Sequence, residues 1–206
     1  MLETFKPLYN RTLKPLALFL ARLGLHPNHL TVAGVLFFAG AAALCVFDYW
    51  KISLLLVIAG GIFDGLDGVV ARETGQSSVF GSILDSSCDR FTEIFLLFGI
   101  MVHYLVKTPV NSVGAILCFC AVSASLMVSY VKARCEGVSV PCKGGILQRP
   151  ERLVLLSLGL LTGADVMIWI LAIITILGFF TSIQRLYEAA GYCRKQNSKN
   201  VPSTPK

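Results

Sequence analysis

Long apolar runs broken by short polar stretches organise this chain, at roughly residues 28–47, 50–73, 77–105, 110–135, 148–164 and 166–190. Each run is far longer than a strand and none alternates with period two, so the pattern predicts helices; about 20 apolar residues suffice to cross the hydrocarbon core. The fold class is therefore an all-α integral membrane protein with six transmembrane helices, not a barrel. Ahead of the first run, residues 2–25 interleave Phe5, Leu8, Leu13, Leu16 and Phe19 with Lys6, Arg11, Lys14 and Arg22, the mixture of an amphipathic helix lying at the membrane interface. His26-Pro27-Asn28 ends it, because the residue before a proline disfavours helix and Pro27 suits a new first turn. A single membrane domain over 1–193 is predicted, with the interfacial helix at 1–26. A disordered polar tail follows at 194–206, where Pro202, Pro205, serines and lysines replace apolar residues.

Composition strengthens this picture. With 55% hydrophobic and 15% charged residues and a mean hydropathy of +0.71, little of the chain is left for a soluble domain. The net charge of +6 is placed on alternate connections: the N-terminal segment, the 73–77 turn, the 135–147 loop and the tail are basic, whereas the other connections hold only Lys51 and Lys107. By the positive-inside rule both termini face the cytoplasm, in the cell membrane. No basic patch interleaved with aromatics sits on a soluble surface, so nucleic acid is not the expected partner; membrane lipid and anionic ligands are. The seven cysteines form no C-x-x-C pair, which excludes a zinc or redox centre of that kind, and only Cys135 and Cys142, in one loop, are placed to pair. Histidines 26, 29 and 103 lack a metal-compatible partner at helical spacing, and Asp48 and Asp165 are assigned to water on the far side.

The charges that do not fit a bland span are Asp64, Asp67, Arg72, Asp85, Asp89 and Arg90, near the cytoplasmic ends of spans two and three. Ionisable groups inside spans are costly and mark functional sites. Asp64 and Asp67 are three apart and Asp85 and Asp89 four apart, so each pair projects from one helix face, and two facing helices bring four carboxylates together. Such a cluster repels itself unless protonated or neutralised, and hard divalent cations that favour oxygen ligands, Mg2+ or Mn2+, are the natural solution. Two such ions grip a pyrophosphate and neutralise a leaving phosphate, while a remaining carboxylate accepts a hydroxyl proton. Gly65, Gly68, Ala71 and Gly81 leave the intervening helix faces nearly bare, with room for a ring or phosphate against the backbone.

The run Asp64-Gly65-Leu66-Asp67-Gly68-Val69-Val70-Ala71-Arg72, followed by Gly81, Asp85 and Asp89, resembles the signature of the CDP-alcohol phosphotransferase (phosphatidyltransferase) family at every fixed position. The resemblance implies a six-helix enzyme of phospholipid biosynthesis, often a homodimer, that binds a CDP-linked lipid and releases CMP when an alcohol attacks the lipid-bearing phosphate. It also implies roles. Asp64, Asp67 and Asp85 look like metal ligands, Asp89 completes the metal site and serves as base, and Gly68, Ala71, Arg72 and Gly81 line the nucleotide site. Asn28 and Thr31, opening span one, reach the same nucleotide.

A second basic cluster, Lys132 and Arg134 after Ser129, then Arg149, Arg152 and Arg185, falls on the side of the aspartates. Guanidinium groups match phosphate oxygens with paired hydrogen bonds, so the cluster predicts a pocket for a phosphorylated acceptor. The stretch is similar to the phosphatidylinositol-phosphate synthase branch. There Lys132, Arg149 and Arg185 look like the acceptor-phosphate residues, with Ser129, Arg134, Glu151 and Arg152 orienting them or bridging helices. Inositol phosphate is the first acceptor on this reading, glycerol 3-phosphate the alternative, and the donor is CDP-diacylglycerol or CDP-archaeol. Rival classes are an intramembrane prenyltransferase, whose aspartate motifs lie on well-separated helices, and a divalent-metal transporter, whose site favours the bilayer midplane. Glu93, one turn after Asp89, carries no assigned role; a partner in Arg90 or on another helix is open.

Overall fold

The computed structural model describes residues 6–142 and 144–200, with side chains described for 14–142 and 144–196. Residues 1–5 of the N-terminal segment, Lys143 of the basic loop and residues 201–206 of the tail lie outside them. The described residues form seven helices and no strand: α1 (Lys6–Arg22), α2 (Pro27–Val46), α3 (Trp50–Thr74), α4 (Val79–Val106), α5 (Ser112–Gly137), α6 (Arg149–Thr162) and α7 (Ala164–Asn200). Four are long and apolar enough to cross a membrane: α2, α3, α5 and α7 over Ala164–Gln196. Of the remaining three, α4 and α6 have separate reasons for missing that description. α4 has the length, 28 residues, but carries Asp85, Asp89, Arg90 and Glu93. α6 has only 14 residues, roughly 21 Å of helix at 1.5 Å per residue, against a hydrocarbon core of about 30 Å.

The helix ends follow local chemistry. Pro27 opens α2, Ser78 Oγ accepts from Gly81 N at 2.9 Å to cap α4, and Asn111 Oδ1 accepts from Gly114 N at 2.9 Å to cap α5. Gly75, at φ 68°, stops α3 in the left-handed region that glycine adopts without penalty. The predicted tail requires a correction: residues 194–200 are not disordered but continue α7, because Arg194, Lys195 and Gln196 are good helix formers that extend an already nucleated helix.

α3 and α4 both pack on α2, α5 packs on α4 and α7, and α6 packs on α7 and α3. One core cluster runs through them from Phe38 and Ala41 to Leu156 and Leu171, and a smaller one joins Ala17 of α1 to Leu30, Leu66 and Val70. A Cβ on Gly99 would stand 2.4 Å from Ala42 O, so only glycine lets α4 come this close to α2. All seven cysteines are free, and Cys135 and Cys142 pack together without a disulfide. At the end of the bundle away from the aspartates, Asp48 is not simply solvated: Trp50 Nε1 donates to it at 2.7 Å and Lys107 bonds its other oxygen. The Lys107 ammonium, with Trp50, holds the Asp48 carboxyl below the usual carboxylate range.

Candidate active site

The tight 75–78 turn between α3 and α4 leaves their aspartate-bearing ends side by side. Carboxylate oxygens of Asp64, Asp85 and Asp89 all lie within 4.8 Å of one another. An all-oxygen set of this size suits a hard divalent cation, and the residues present therefore fit magnesium or manganese. Asp67 stands apart from that trio: buried, it accepts from Thr31 Oγ1 at 2.5 Å, so Thr31 ties α2 to the motif.

Two cavities flank the trio. The first, of about 180 Å3, is lined by Asn28, Thr31, Asp67, Gly68, Ala71, Arg72, Gly81 and Asp85, and so brings together every residue expected to hold the nucleotide. Ser78 also lines it, a residue the sequence signature did not single out; its capping position before α4 was the available signal. A Cβ at Gly81 would stand 3.0 Å from Ser78 Oγ and 3.5 Å from Asn28 Oδ1, inside this cavity's wall.

The second cavity, of about 380 Å3, lies on the other side. Asp89 forms part of its wall, and Ser129, Lys132, Arg149, Arg152 and Arg185 face it from α5, α6 and α7. Arg134 does not join them; it is exposed and off the cavity lining. Five cationic side chains, counting Arg90, line it against three carboxylates, Asp89, Glu93 and Glu136, so positive charge predominates in its wall even though Arg149 also serves Asp64, as an anion site requires. Arg149 straddles the boundary. Its two Nη atoms donate to Asp64 at 2.9 and 3.3 Å, and Nη1 lies 2.7 Å from Asp89 Oδ1. Arg149 Nε is buried with no hydrogen-bond partner and retains capacity for a ligand, whereas Asp89 Oδ1 meets the Arg149 guanidinium as an ion pair outside hydrogen-bond geometry.

Arg185 is almost fully buried and points its guanidinium at backbone, donating from Nε to Gly144 O at 2.8 Å and from Nη1 to Val128 O at 2.6 Å. Glu93 resolves the partner the sequence left open: it does not pair with Arg90, which donates back to Ser86 O, but with Arg152 of α6. Lys132 sits 3.8 Å from Glu136 at the rim.

A family model described as CDP-alcohol phosphatidyltransferase matches residues 24–184. The archaetidylinositol phosphate synthase of Methanothermobacter thermautotrophicus is 34% identical over 190 residues, 90% of this chain and 92% of the relative. The phosphatidylinositol phosphate synthase of Corynebacterium glutamicum is 38% identical over 189 residues, 85% and 83% of the two chains. The crystal structure of the Mycobacterium tuberculosis phosphatidylinositol phosphate synthase with CDP-DAG bound superposes with a TM-score of 0.81 at 27% identity, covering 87% of this chain and 94% of that one. The same enzyme in complex with manganese and citrate gives 0.76 at 28% identity, over 85% and 88%.

Proposed function

The chain belongs to the CDP-alcohol phosphatidyltransferase family, and from that premise we propose that it is a phosphatidylinositol-phosphate synthase: a divalent-metal-dependent transferase that moves a phosphatidyl group from CDP-diacylglycerol to inositol phosphate and releases CMP. The observation that carries the acceptor is the second cavity, a pocket with a predominantly positive wall, opening directly onto Asp89. The names of the relatives support the same acceptor on two lipid types, phosphatidyl and archaetidyl, so CDP-archaeol is the alternative donor. Glycerol 3-phosphate is the alternative acceptor, with its own phosphate to occupy the pocket.

The residues divide the work. Asn28, Gly68, Ala71, Arg72 and Gly81 hold the cytidine nucleotide in the smaller cavity, and Lys132, Arg149 and Arg185 hold the acceptor phosphate in the larger. Asp64, Asp67, Asp85 and Asp89 are the proposed ligands of two magnesium or manganese ions, which supply charge neutralisation of the pyrophosphate. With its phosphate fixed, the acceptor places a hydroxyl beside Asp89. The hydroxyl oxygen bonds to the lipid-bearing phosphorus, the bond from that phosphorus to the CMP oxygen breaks, and Asp89 takes the proton. Most of the rate then comes from positioning and charge neutralisation.

On this reading α4 and α6 complete a six-span bundle as one membrane domain, with α1 at the interface. Both termini and the active site face the cytoplasm, which the Lys and Arg distribution supports, and the working unit is a homodimer. The test is CMP release by purified protein with magnesium, comparing inositol phosphate, glycerol 3-phosphate, inositol and serine on CDP-diacylglycerol and on CDP-archaeol. Release that depends on inositol phosphate is expected; release with unphosphorylated inositol or serine alone would sink the acceptor assignment. Gly81→Leu, which fills the smaller cavity, is expected to raise the KM for the CDP-lipid about tenfold or more with the acceptor KM unchanged; the reverse pattern would exchange the two cavities.

A further inference from the structure

Glu93 and Arg152 form the most deeply buried ion pair among the described residues, 6% and 1% exposed, and no step above uses them. Arg152 Nε donates to Glu93 Oε1 at 2.6 Å and Nη2 to Oε2 at 2.9 Å, a two-pronged geometry that fixes both side chains. Glu93 follows Asp89 by four residues on α4, and Arg152 follows Arg149 by three on α6. The two helices are thus joined by two rungs, Asp89 to Arg149 at the reacting end and Glu93 to Arg152 one turn deeper.

The inner rung also governs the chain that enters α6. Gln148 at the start of that helix makes no side-chain capping bond. Arg152 Nη1 instead donates to Leu147 O at 3.3 Å, and Leu147 N donates to Thr181 Oγ1 of α7 at 3.2 Å. Three residues earlier, Gly144 O accepts from Arg185. The 144–148 strap is therefore held from one side by Arg152 and from the other by α7, and it leads straight into Arg149. Without a carboxylate at 93, a buried guanidinium would lie uncompensated within reach of the cavity, where it would compete for Asp89 or for a bound anion off centre.

We propose that Glu93 is a positioning residue for the acceptor cavity, acting through Arg152: the buried pair sets the first turn of α6 and the strap before it so that Arg149 and Arg185 converge on one phosphate. This rests on the reading of the larger cavity as the acceptor site.

The test uses the full chain in lipid nanodiscs, as wild type, Glu93→Gln and Glu93→Asp, with inorganic phosphate binding by calorimetry and separate KM values for inositol phosphate and CDP-diacylglycerol. Glu93→Gln is expected to weaken phosphate binding and raise the acceptor KM about 10- to 100-fold, a size typical of a misplacement near 1 Å, with the donor KM within about threefold. Glu93→Asp, which keeps the charge with a shorter reach, is expected to fall between. An unchanged acceptor KM in folded Glu93→Gln overturns the proposal, as does an equal rise in donor and acceptor KM; a maximal rate that falls only with the folded fraction while both KM values hold is the mark of a merely structural pair. Should Glu93→Gln not fold, Arg152→Lys carries the same expectation, since one ammonium cannot reproduce both the fork and the bond to Leu147. A wild type that binds phosphate yet ignores inositol phosphate would refute the choice of polyol alone, and the phosphate comparison would still decide the role of Glu93.

Discussion

Asp89→Asn is expected to lower kcat by about 10^2- to 10^4-fold, the range of a lost general base, while the affinity for CDP-diacylglycerol stays within about threefold. The asymmetry follows from where the carboxylates point. Asp89 belongs to the trio and also walls the larger cavity, so it faces the incoming hydroxyl. Asp85 belongs to the same trio but walls the smaller one, on the nucleotide side. An asparagine at 89 keeps the shape and one oxygen, and it keeps the contact to Arg149 in weakened form, but it cannot take a proton. Asp85→Asn is the contrast, since it should weaken donor binding itself. Steady-state rates together with equilibrium binding of the CDP-lipid separate the two. A kcat within tenfold of wild type for Asp89→Asn would remove Asp89 as the base, and equal losses of donor binding in both variants would mean that the trio acts only as a metal cage.

The helices and the carboxylate cluster were legible in the sequence because both are local signals. Apolar runs of helix length need no partner to be recognised, and the pairs Asp64/Asp67 and Asp85/Asp89 each declare one face of their own helix by spacing alone. The basic pocket was legible as a sum of charges but not as a geometry. Nothing local says that Arg149 will reach Asp64 across 85 residues, that Arg134 will turn away, or that Asp67 will be taken by Thr31. Glu93 shows the limit most clearly. Its repeat four residues after Asp89, matched by Arg152 three after Arg149, was present in the sequence, yet it gains meaning only once α4 and α6 are known to be neighbours at the cavity. The end of α7 was misread for the opposite reason. Polar composition was taken as disorder where a long helix had only to be extended by residues that favour it.

Removing divalent cations with EDTA is expected to stop CMP release, by about 10^3-fold or more if the ions supply several kcal/mol of charge stabilisation, and added magnesium or manganese should restore it. The more discriminating expectation concerns stability. A cluster of carboxylates ordinarily destabilises a fold when its counter-ions leave, because like charges at this range repel. Here the chain carries its own compensation: Arg149 donates to Asp64 and contacts Asp89, while the Thr31 hydroxyl bonds Asp67. The bundle is also held by a core that runs through six helices away from the aspartates. The melting temperature should therefore fall by no more than a few degrees on chelation, unlike a structural metal site, whose binding energy is folding energy. Arg149→Ala takes away that internal cation, so chelation should then cost more stability than in wild type. Loss of the fold in wild type with EDTA would make the metal structural. Turnover that persists in EDTA would overturn the metal assignment and leave Arg149 as the cation that serves the aspartates.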